Sequence, residues 1–388
     1  MGTITESAKA FMPKLSEIRR DFHMHPEVSQ HEERTGKKVA EYLKEMGCDE
    51  VYENVGGYGV VGVLTGKKPG KVVALRADMD ALQIQEMNEV PYKSQNDGVM
   101  HACGHDNHMT GLLGAAMLLC ERREEIAGTV KLIFQPAEEM SPVGGSRGML
   151  HSGYMDDVEA VFGLHVWPDL PHGKIGVKAG PLMAATDHFT INIHGKTAHG
   201  AKPNQGIDAV VLGSQFVMAA QTIVSRKVDP LDNAVVTFGI FNAGTRYNII
   251  AGDCTLDGTV RTLNEDTRAM IEDSMRKTLD GLCLQSGATA DINYGHGYPA
   301  LVNHEEDAEL IRNTAIKLFG KDDVVDVKLP AMPAEDFSFY LKEKKGAFVW
   351  LGTAKQDQDP VWPLHNSRFD VDEDILWSCL LYTSDAAD

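Results

Sequence analysis

The stretch Met100-His-Ala-Cys-Gly-His-Asp-Asn-His108 places three histidines, a cysteine and an aspartate within nine residues. Cys103 and His105 are two positions apart, so they cannot share one face of a regular helix. They can bind one metal ion if the chain loops there, and Gly104 gives the backbone that freedom. Thiolate and imidazole are good ligands for zinc and similar divalent ions. The alternative is a free buried cysteine beside surface histidines.

The residues after this stretch predict where it lies in the fold. The apolar run from Gly111 to Cys120 is typical of a buried helix. The cysteine and histidines are therefore expected at or just before the N-terminus of a helix.

Other potential ligands follow predicted strands separated by helices, a pattern that favours an α/β fold with a mostly parallel sheet. In such sheets ligands bind beyond the carboxyl ends of the strands, which favours the metal interpretation. The strands and the residues after them are Lys71–Leu75 before Asp78 and Asp80, Thr129–Phe134 before Glu138 and Glu139, Ala160–Leu164 before His165, and Ala347–Leu351 before the loop with His365.

The adjacent Glu138 and Glu139 can divide two roles, because neighbouring side chains point in different directions. One carboxylate can bind metal while the other acts as the base for a water molecule that the metal activates. A solvated acidic pair at the start of a loop is the alternative, since acidic residues are common in this chain.

Five potential ligands are too many for one tetrahedral site and suit two metal ions that share a bridge, which a thiolate can provide. Asp80 can orient a ligand histidine, or it can simply cap a helix or loop. The five are Cys103, His105, Glu139, His165 and His365.

The composition excludes several classes of protein. The 388 residues carry a formal net charge of -19, which argues against nucleic acid and anionic membrane surfaces as partners. No apolar stretch approaches the ~20 residues of a membrane helix. The six cysteines are scattered, and residues 1–7 lack the apolar core of a secretion signal. A reducing, cytoplasmic location with free thiols is expected.

The middle of the chain breaks the alternation of strands and helices. Its predicted elements follow the order β-α-β-β-α-β, which indicates a ferredoxin-like unit. We expect this unit at 184–298, inserted into a first domain made of 1–183 and 299–388.

Seven motifs, in order along nearly the whole chain, resemble the amidohydrolase branch of the dinuclear metallopeptidases, which includes aminoacylase-like enzymes, hippurate hydrolase and the plant indoleacetyl-amino-acid hydrolases. They are Arg19-Arg-Asp-Phe-His-Met-His-Pro-Glu27, Arg76-Ala-Asp-Met-Asp-Ala-Leu82, Met100-His-Ala-Cys-Gly-His-Asp106, Phe134-Gln-Pro-Ala-Glu-Glu139, Gly163-Leu-His-Val-Trp-Pro168, Lys196-Thr-Ala-His-Gly-Ala-Lys-Pro203 and Leu364-His365.

This resemblance implies a catalytic domain like that of the zinc exopeptidases, with two divalent ions of manganese, zinc, cobalt or nickel. Cys103 would bridge the ions, His105 and His165 would complete one site, and Glu139 and His365 the other. Glu138 would act as the general base and then protonate the leaving amine.

The resemblance also gives the inserted unit a role, as a lid and as the interface of a homodimer or a dimer of dimers. His199 would reach the active site of a neighbouring subunit, although by sequence alone it is a structural or exposed histidine. Asn248 and Arg261 match positions that hold the substrate carboxylate, although a strand arginine is more often paired at the surface.

Two departures from the family stand out. Asp78 lies where related peptidases carry a ligand histidine, a change that this branch shares. After Trp377 the relatives continue an amphipathic helix, but this chain ends Ser-Cys-Leu-Leu-Tyr-Thr-Ser-Asp-Ala-Ala-Asp388, and we assign no function to Cys379.

The predicted function is metal-dependent removal of the acyl group from an N-acyl amino acid or a small acylated amine. One alternative is a dipeptidase or carboxypeptidase on the same scaffold. The other is a non-catalytic protein that binds metal or peptide, which would have no need of Glu138 as a base.

Overall fold

The structure, a computed structural model, describes residues 4–355 and 360–379, so residues 380–388 of the unusual C-terminal segment lie outside it. The chain forms two compact units. The first unit comprises Met1–Gly180, Val302–Leu329 and Asp336–Asp388, and the second comprises Pro181–Leu301 and Pro330–Glu335.

The helices of the described residues are, in chain order, α1 (Ile4–Ala10), α2 (Met12–Met24), α3 (Glu33–Met46), α4 (His105–Glu121), α5 (Ser146–Leu150), α6 (Ala209–Arg226), α7 (Glu265–Ser286), α8 (Glu305–Phe319) and α9 (Ser338–Glu343). Short 3-10 turns occur at Pro203–Gln205, Lys321–Asp323 and Glu373–Ile375. None of these helices is both long enough and apolar enough to cross a membrane.

The strands are β1 (Glu50–Val55), β2 (Gly59–Thr65), β3 (Lys68–Asp78), β4 (Ala127–Gln135), β5 (Ala160–Pro171), β6 (Ile175–Val177), β7 (Gly180–Met183), β8 (Ala185–His194), β9 (Ala198–His199), β10 (Ala234–Ala243), β11 (Ile249–Ile250), β12 (Asp253–Thr262), β13 (Thr289–His296), β14 (Leu301–Asn303), β15 (Val324–Asp326) and β16 (Lys345–Ala354).

The first unit contains a large mixed sheet in the order β1-β2-β4-β3-β5-β16-β6-β15. Its centre is parallel, as predicted, because β3 pairs in parallel with β4 and β5, and β5 with β16. The prediction of a mostly parallel sheet misses the antiparallel pairs that β2 forms with β1 and β4 and that β6 forms with β16. A short connection such as the one between β1 and β2 can join only antiparallel neighbours.

Helix α4 lies in the core of the first unit. It is buried over almost its whole length and packs against α2, α3 and β3. It begins at His105, which confirms that Cys103 and His105 lie at or just before a helix N-terminus. Cys379 is also buried in this core, and a Cβ atom on Gly111 would lie 2.5 Å from the Cys379 Cβ.

Several predicted boundaries differ from the structure; strand β3, for example, includes Asp78, which the sequence places beyond the strand end. The apolar spacing of Phe11, Leu15, Ile18 and Phe22 is typical of one helix from Ile4 to His25. The structure breaks this helix at Phe11, because Pro13 in the first turn of α2 cannot continue the hydrogen bonding of α1. Strand β5 does not end before His165. Its parallel pairing with β16 continues past the His165–Trp350 pair, so His165 lies within the strand.

The second unit has its own apolar core and a four-stranded antiparallel sheet in the order β10-β12-β8-β13. Helices α6 and α7 pack against each other and against this sheet. Strand β10 is an edge strand with Val235, Ile240 and Phe241 all more than a third exposed. Outside the sheet, β9 pairs with β11.

Candidate metal centre

Cys103 and His105 are brought together by a left-handed glycine. Gly104 has φ 88° and is the N-cap of α4, and a Cβ atom there would lie 2.4 Å from Val166 Cγ2. Only glycine adopts this conformation and allows this close approach at little cost. The turn leaves Cys103 and His105 both buried. The alternative, in which a buried free cysteine lies beside histidines on the surface, is therefore wrong for His105.

His165 approaches Cys103 from strand β5. Its Nδ1–H donates to the main-chain oxygen of Val166 (2.6 Å), which leaves Nε2 as the free nitrogen, 3.3 Å from Cys103 Sγ. Burial and the neighbouring His108 hold the pKa of His165 well below its usual range. The ring is therefore neutral, as a metal-ligand histidine must be.

The two glutamates follow β4 in a strained turn. Ala137 has φ 56°, and its N–H donates to Glu32 Oε1 (2.8 Å). Glu139 N–H donates to Asp80 Oδ2 (3.0 Å). Non-glycine residues in this conformation are costly and concentrate at functional sites. Glu138 is buried, so the alternative of a solvated acidic pair is wrong for it.

His365 is held against the same cluster by its own backbone. Its N–H donates to the Ala102 oxygen (2.8 Å), and its φ of 62° is a second left-handed non-glycine conformation. Its Nε2 lies 3.2 Å from Glu139 Oε1, although its side chain remains half exposed.

The structure brings all five predicted ligands together. One group contains Cys103, His105 and His165, and another contains Cys103, Glu139 and His365; in each group the ligand atoms lie within 4.8 Å of one another. The two groups share the Cys103 thiol. Glu138 forms a further group of this kind with His105 and Glu139.

The electrostatics of this cluster fit bound cations. His105 Nε2 and Glu139 Oε1 are buried and make no hydrogen bond within the described part of the chain. Burial by itself lowers the pKa of His105, but the carboxylates of Asp78, Asp80 and Glu139 raise it to about 10. Burial, Glu139 and Glu138 raise the pKa of the Cys103 thiol well above its usual range. A divalent cation would relieve this negative field and favour the thiolate.

Asp80 contacts His105 through both its main chain and its side chain. His105 Nδ1 lies 2.8 Å from the Asp80 main-chain oxygen and 3.3 Å from Oδ1, so the proton on Nδ1 faces Asp80 and Nε2 faces the cluster. Ser29 Oγ donates to Asp80 Oδ2 (2.6 Å).

The other three predicted residues lie in the second unit. His199 on β9 pairs with Ile249 on β11, and Asn248 lies beside it, with its main-chain oxygen accepting from Gly200 N–H (2.8 Å). Ala201 N–H donates to His199 Nδ1 (3.0 Å), so the ring proton is on Nε2. Arg261 lies apart from this pair on β12 and donates to Thr259 Oγ1 and to the Val260 oxygen.

Sequence reasoning assigned no role to His108. The structure places it with Asp78 and His105 in one more group of potential ligands. His108 belongs to the same motif and lies three residues after His105, the spacing of neighbours on one helix face, so this periodicity could have identified it.

Comparisons with known proteins agree with this geometry. The model of a family described as Peptidase family M20/M25/M40 matches residues 74–384. The chain is 44% identical over 288 residues to an N-acyl-L-amino acid amidohydrolase of Geobacillus stearothermophilus, covering 74% of this chain and 77% of the relative. It is 41% identical over 364 residues to thermostable carboxypeptidase 2 of Saccharolobus solfataricus, covering 93% and 91%.

Among solved structures, a Bacillus subtilis protein described as a dinuclear metal binding peptidase from the M20 family matches with a TM-score of 0.86 at 36% identity, covering 98% of both chains. The chain therefore belongs to peptidase family M20/M25/M40, which confirms the resemblance found in its motifs. It is a hydrolase of that family, with a cluster of potential metal-ligand residues in its first unit.

Proposed function

We propose that this protein is a metal-dependent amidohydrolase that cleaves the amide bond of N-acyl amino acids. The observation that carries the proposal is the pair of ligand groups that share Cys103, with the buried carboxylate of Glu138 beside them. The identity with a relative named N-acyl-L-amino acid amidohydrolase supports the class of substrate.

In this proposal the chain holds two divalent ions of manganese, zinc, cobalt or nickel. Cys103 would be shared by the two ions, with His105 and His165 holding the first ion and Glu139 and His365 holding the second. Divalent ions in such a site supply Lewis-acid activation of water and of the amide carbonyl. Asp80 orients His105 through the contacts at Nδ1.

Glu138 acts as the general base. Its carboxylate takes a proton from the attacking water and later delivers that proton to the leaving amine, so the carboxylate is regenerated in each turnover. Its burial supports this role, because a carboxylate shielded from bulk water exchanges protons with the reactants rather than with solvent.

The second unit contributes substrate contacts. Arg261 makes no ion pair within the described residues, and burial lowers its pKa although the charge of Asp187 opposes that shift, so a substrate carboxylate would provide a direct counter-charge. Asn248 would donate to the same carboxylate from its side-chain nitrogen. Its Oδ1 atom, which is buried without a hydrogen-bond partner in the same part of the chain, would be left to accept from an N–H of the substrate. His199 Nε2–H is a donor that would stabilise the charge on the carbonyl oxygen in the transition state.

The second unit also acts as a lid and as the dimer interface. The apolar side chains on edge strand β10 support the interface, because such an edge is a ready template for a strand of a second copy. A homodimer, or a dimer of dimers, is therefore proposed. A reducing, cytoplasmic location rests on the six free cysteines.

A carboxypeptidase is the second candidate, since one relative with 41% identity carries that name. A panel that compares N-acyl amino acids with dipeptides bearing a free amine separates the two functions. Faster cleavage of the acylated substrates supports the amidohydrolase, and faster cleavage of the free dipeptides favours the carboxypeptidase.

The paired glutamates give the sharpest test of the mechanism. We expect Glu138→Gln to retain both metal ions and to lower turnover by at least the ~10²–10⁴-fold that general acid–base catalysis contributes. Glu139→Gln, the matched control one residue away, should instead lose affinity for one ion. Metal analysis and kinetics on the two variants provide the check. If the phenotypes are exchanged, the assigned roles are reversed.

A further inference from the structure

A buried series of polar contacts leads from Arg76 to His108 in the first unit. Arg76 Nη1 donates to Asp78 Oδ2 (2.7 Å), and His108 Nδ1 lies 2.6 Å from Asp78 Oδ1. All three side chains are almost completely shielded from solvent. Arg76 also donates to Asp336 Oδ1 (2.9 Å) and to Gln135 Oε1 (2.9 Å), so its guanidinium is anchored on several sides.

The series continues from His108 to the strand that carries His165. Val166 N–H donates to His108 Nε2 (2.9 Å). A nitrogen that accepts this bond has no proton, so the single proton of the neutral ring is on Nδ1, where it donates to Asp78. The two contacts together determine one tautomer and one orientation of the His108 ring.

The topology of the sheet explains why Val166 needs this partner. Strand β3 pairs with β5 only as far as the Arg76–Gly163 pair, whereas β16 continues beside β5 beyond that point. Strand β3 no longer pairs with β5 at Val166, so Val166 N–H donates to the His108 side chain instead of to a neighbouring strand. The oxygen of the same residue accepts from His165 Nδ1 (2.6 Å).

We propose that His108, anchored by Asp78, is a positioning residue that holds the Val166 segment of β5 and thereby places the ligand nitrogen of His165 beside Cys103. Asp78 then serves the first ion indirectly, as the acceptor for His108, at the position where related peptidases carry a ligand histidine. The inference rests on the proposed metal centre and adds to it a determinant of metal affinity.

Three substitutions separate this role from simple packing. His108→Asn keeps an amide that can donate to Asp78 but cannot reach Val166, so the buried carboxylate stays satisfied while the strand contact is lost. His108→Gln extends the amide and can again accept from Val166 N–H. His101→Asn is the matched control, because His101 is equally buried in the same motif but makes no hydrogen bond within the described residues.

The readout is the binding of cobalt(II) in competition with a chelator, followed by the absorption band of a cobalt–thiolate bond. We expect His108→Asn to lower the affinity for the first ion by about 10–100-fold, the usual effect of removing such a supporting contact. The affinity for the second ion should change much less. His108→Gln should recover most of the lost affinity, and His101→Asn should bind as the wild type does.

Wild-type affinity in His108→Asn would overturn the inference, and so would an equal loss in His101→Asn. If His108→Asn does not fold by circular dichroism, His108→Phe, which fills the space of the ring without either hydrogen bond, takes its place. Failure of the proposed centre itself would be distinct, because the wild-type chain would then bind no cobalt with a thiolate band.

Discussion

At the scale of single residues, Gly104 has a strict steric requirement between the proposed ligands Cys103 and His105. It combines a φ of 88° with a distance of 2.4 Å from a hypothetical Cβ atom to Val166 Cγ2. Val166 is also the residue whose backbone contacts both His108 and His165. A side chain at Gly104 would therefore displace the segment that carries the proposed ligand His165.

Gly104→Ala is expected to cost about 1–2 kcal/mol for the left-handed conformation and a further ~1–3 kcal/mol for overpacking against Val166. It should also weaken metal binding. Gly98→Ala is the matched control, since Gly98 has φ 76° with open space around its Cβ position and should lose only the conformational part. Thermal unfolding and metal titration of both variants measure the difference. Equal losses in the two variants would show that the contact with Val166 does not matter.

At the scale of elements, the N-terminal motif docks α2 onto α4. Arg19 Nε donates to Asp106 Oδ2 (2.8 Å), and His23 Nδ1 lies 2.7 Å from the same oxygen. His23 Nε2 lies 3.3 Å from Glu86 Oε1 on the other side of the ring. Asp106 is the second residue of α4, so these ion pairs hold the helix whose first residue is His105.

This docking should depend on pH. Burial and Arg19 lower the pKa of His23, but Asp106 and Glu86 raise it, and the net shift is upward. A histidine whose pKa is raised on folding contributes stability that is fully present below its unfolded pKa of about 6.5. That contribution is lost as the pH rises through the higher pKa of the folded state.

We therefore expect His23→Gln to lower the free energy of unfolding by roughly 1.5–3 kcal/mol near pH 5.5, and by less near pH 9. His194→Gln is the control: the pKa of His194 is also raised, by Asp253, but its side chain is half exposed. Solvent screens such a pair, so its variant should change stability little at either pH. Unfolding curves of both variants at the two pH values are the measurement. A loss of stability in His23→Gln that is the same at both pH values would contradict the proposed pH dependence of the His23 contacts.

At the scale of the whole molecule, the proposed function needs two copies of the chain. His199 is proposed to act on a neighbouring subunit, whereas Glu138 acts in its own. In a heterodimer of His199→Ala and Glu138→Gln subunits, both defects then fall in one active site and the other site is complete.

The heterodimers that form on mixing these two variants should regain up to about half of the wild-type activity per dimer, since one of their two transition-state sites is complete. A mixture of Glu138→Gln and Glu139→Gln subunits is the control, because each site then keeps one defect and no activity should return. Turnover after confirmed subunit exchange is the measurement. Without recovery in the first mixture, His199 either acts within its own chain or has no catalytic role.

The local chemistry of the centre could be predicted from the sequence. The position of Cys103 and His105 at a helix N-terminus, the parallel centre of the large sheet and the membership of the metallopeptidase family all follow from short-range patterns. These predictions depend on the spacing of ligand residues, on glycine positions and on apolar periodicity. Each of these patterns extends over only a few residues, so it is visible in the sequence.

Only the tertiary structure decided how His165 and His365 meet Cys103. His165 lies within β5 because β16, almost two hundred residues away in sequence, continues the pairing, and His365 is held by a bond to the Ala102 oxygen. The partner of His108 is likewise the Val166 backbone N–H. Nearly every residue carries the same backbone N–H and C=O groups, so residue type does not reveal which of these groups a side chain will bind. That partner is determined by the tertiary structure, which brings distant segments of the chain together.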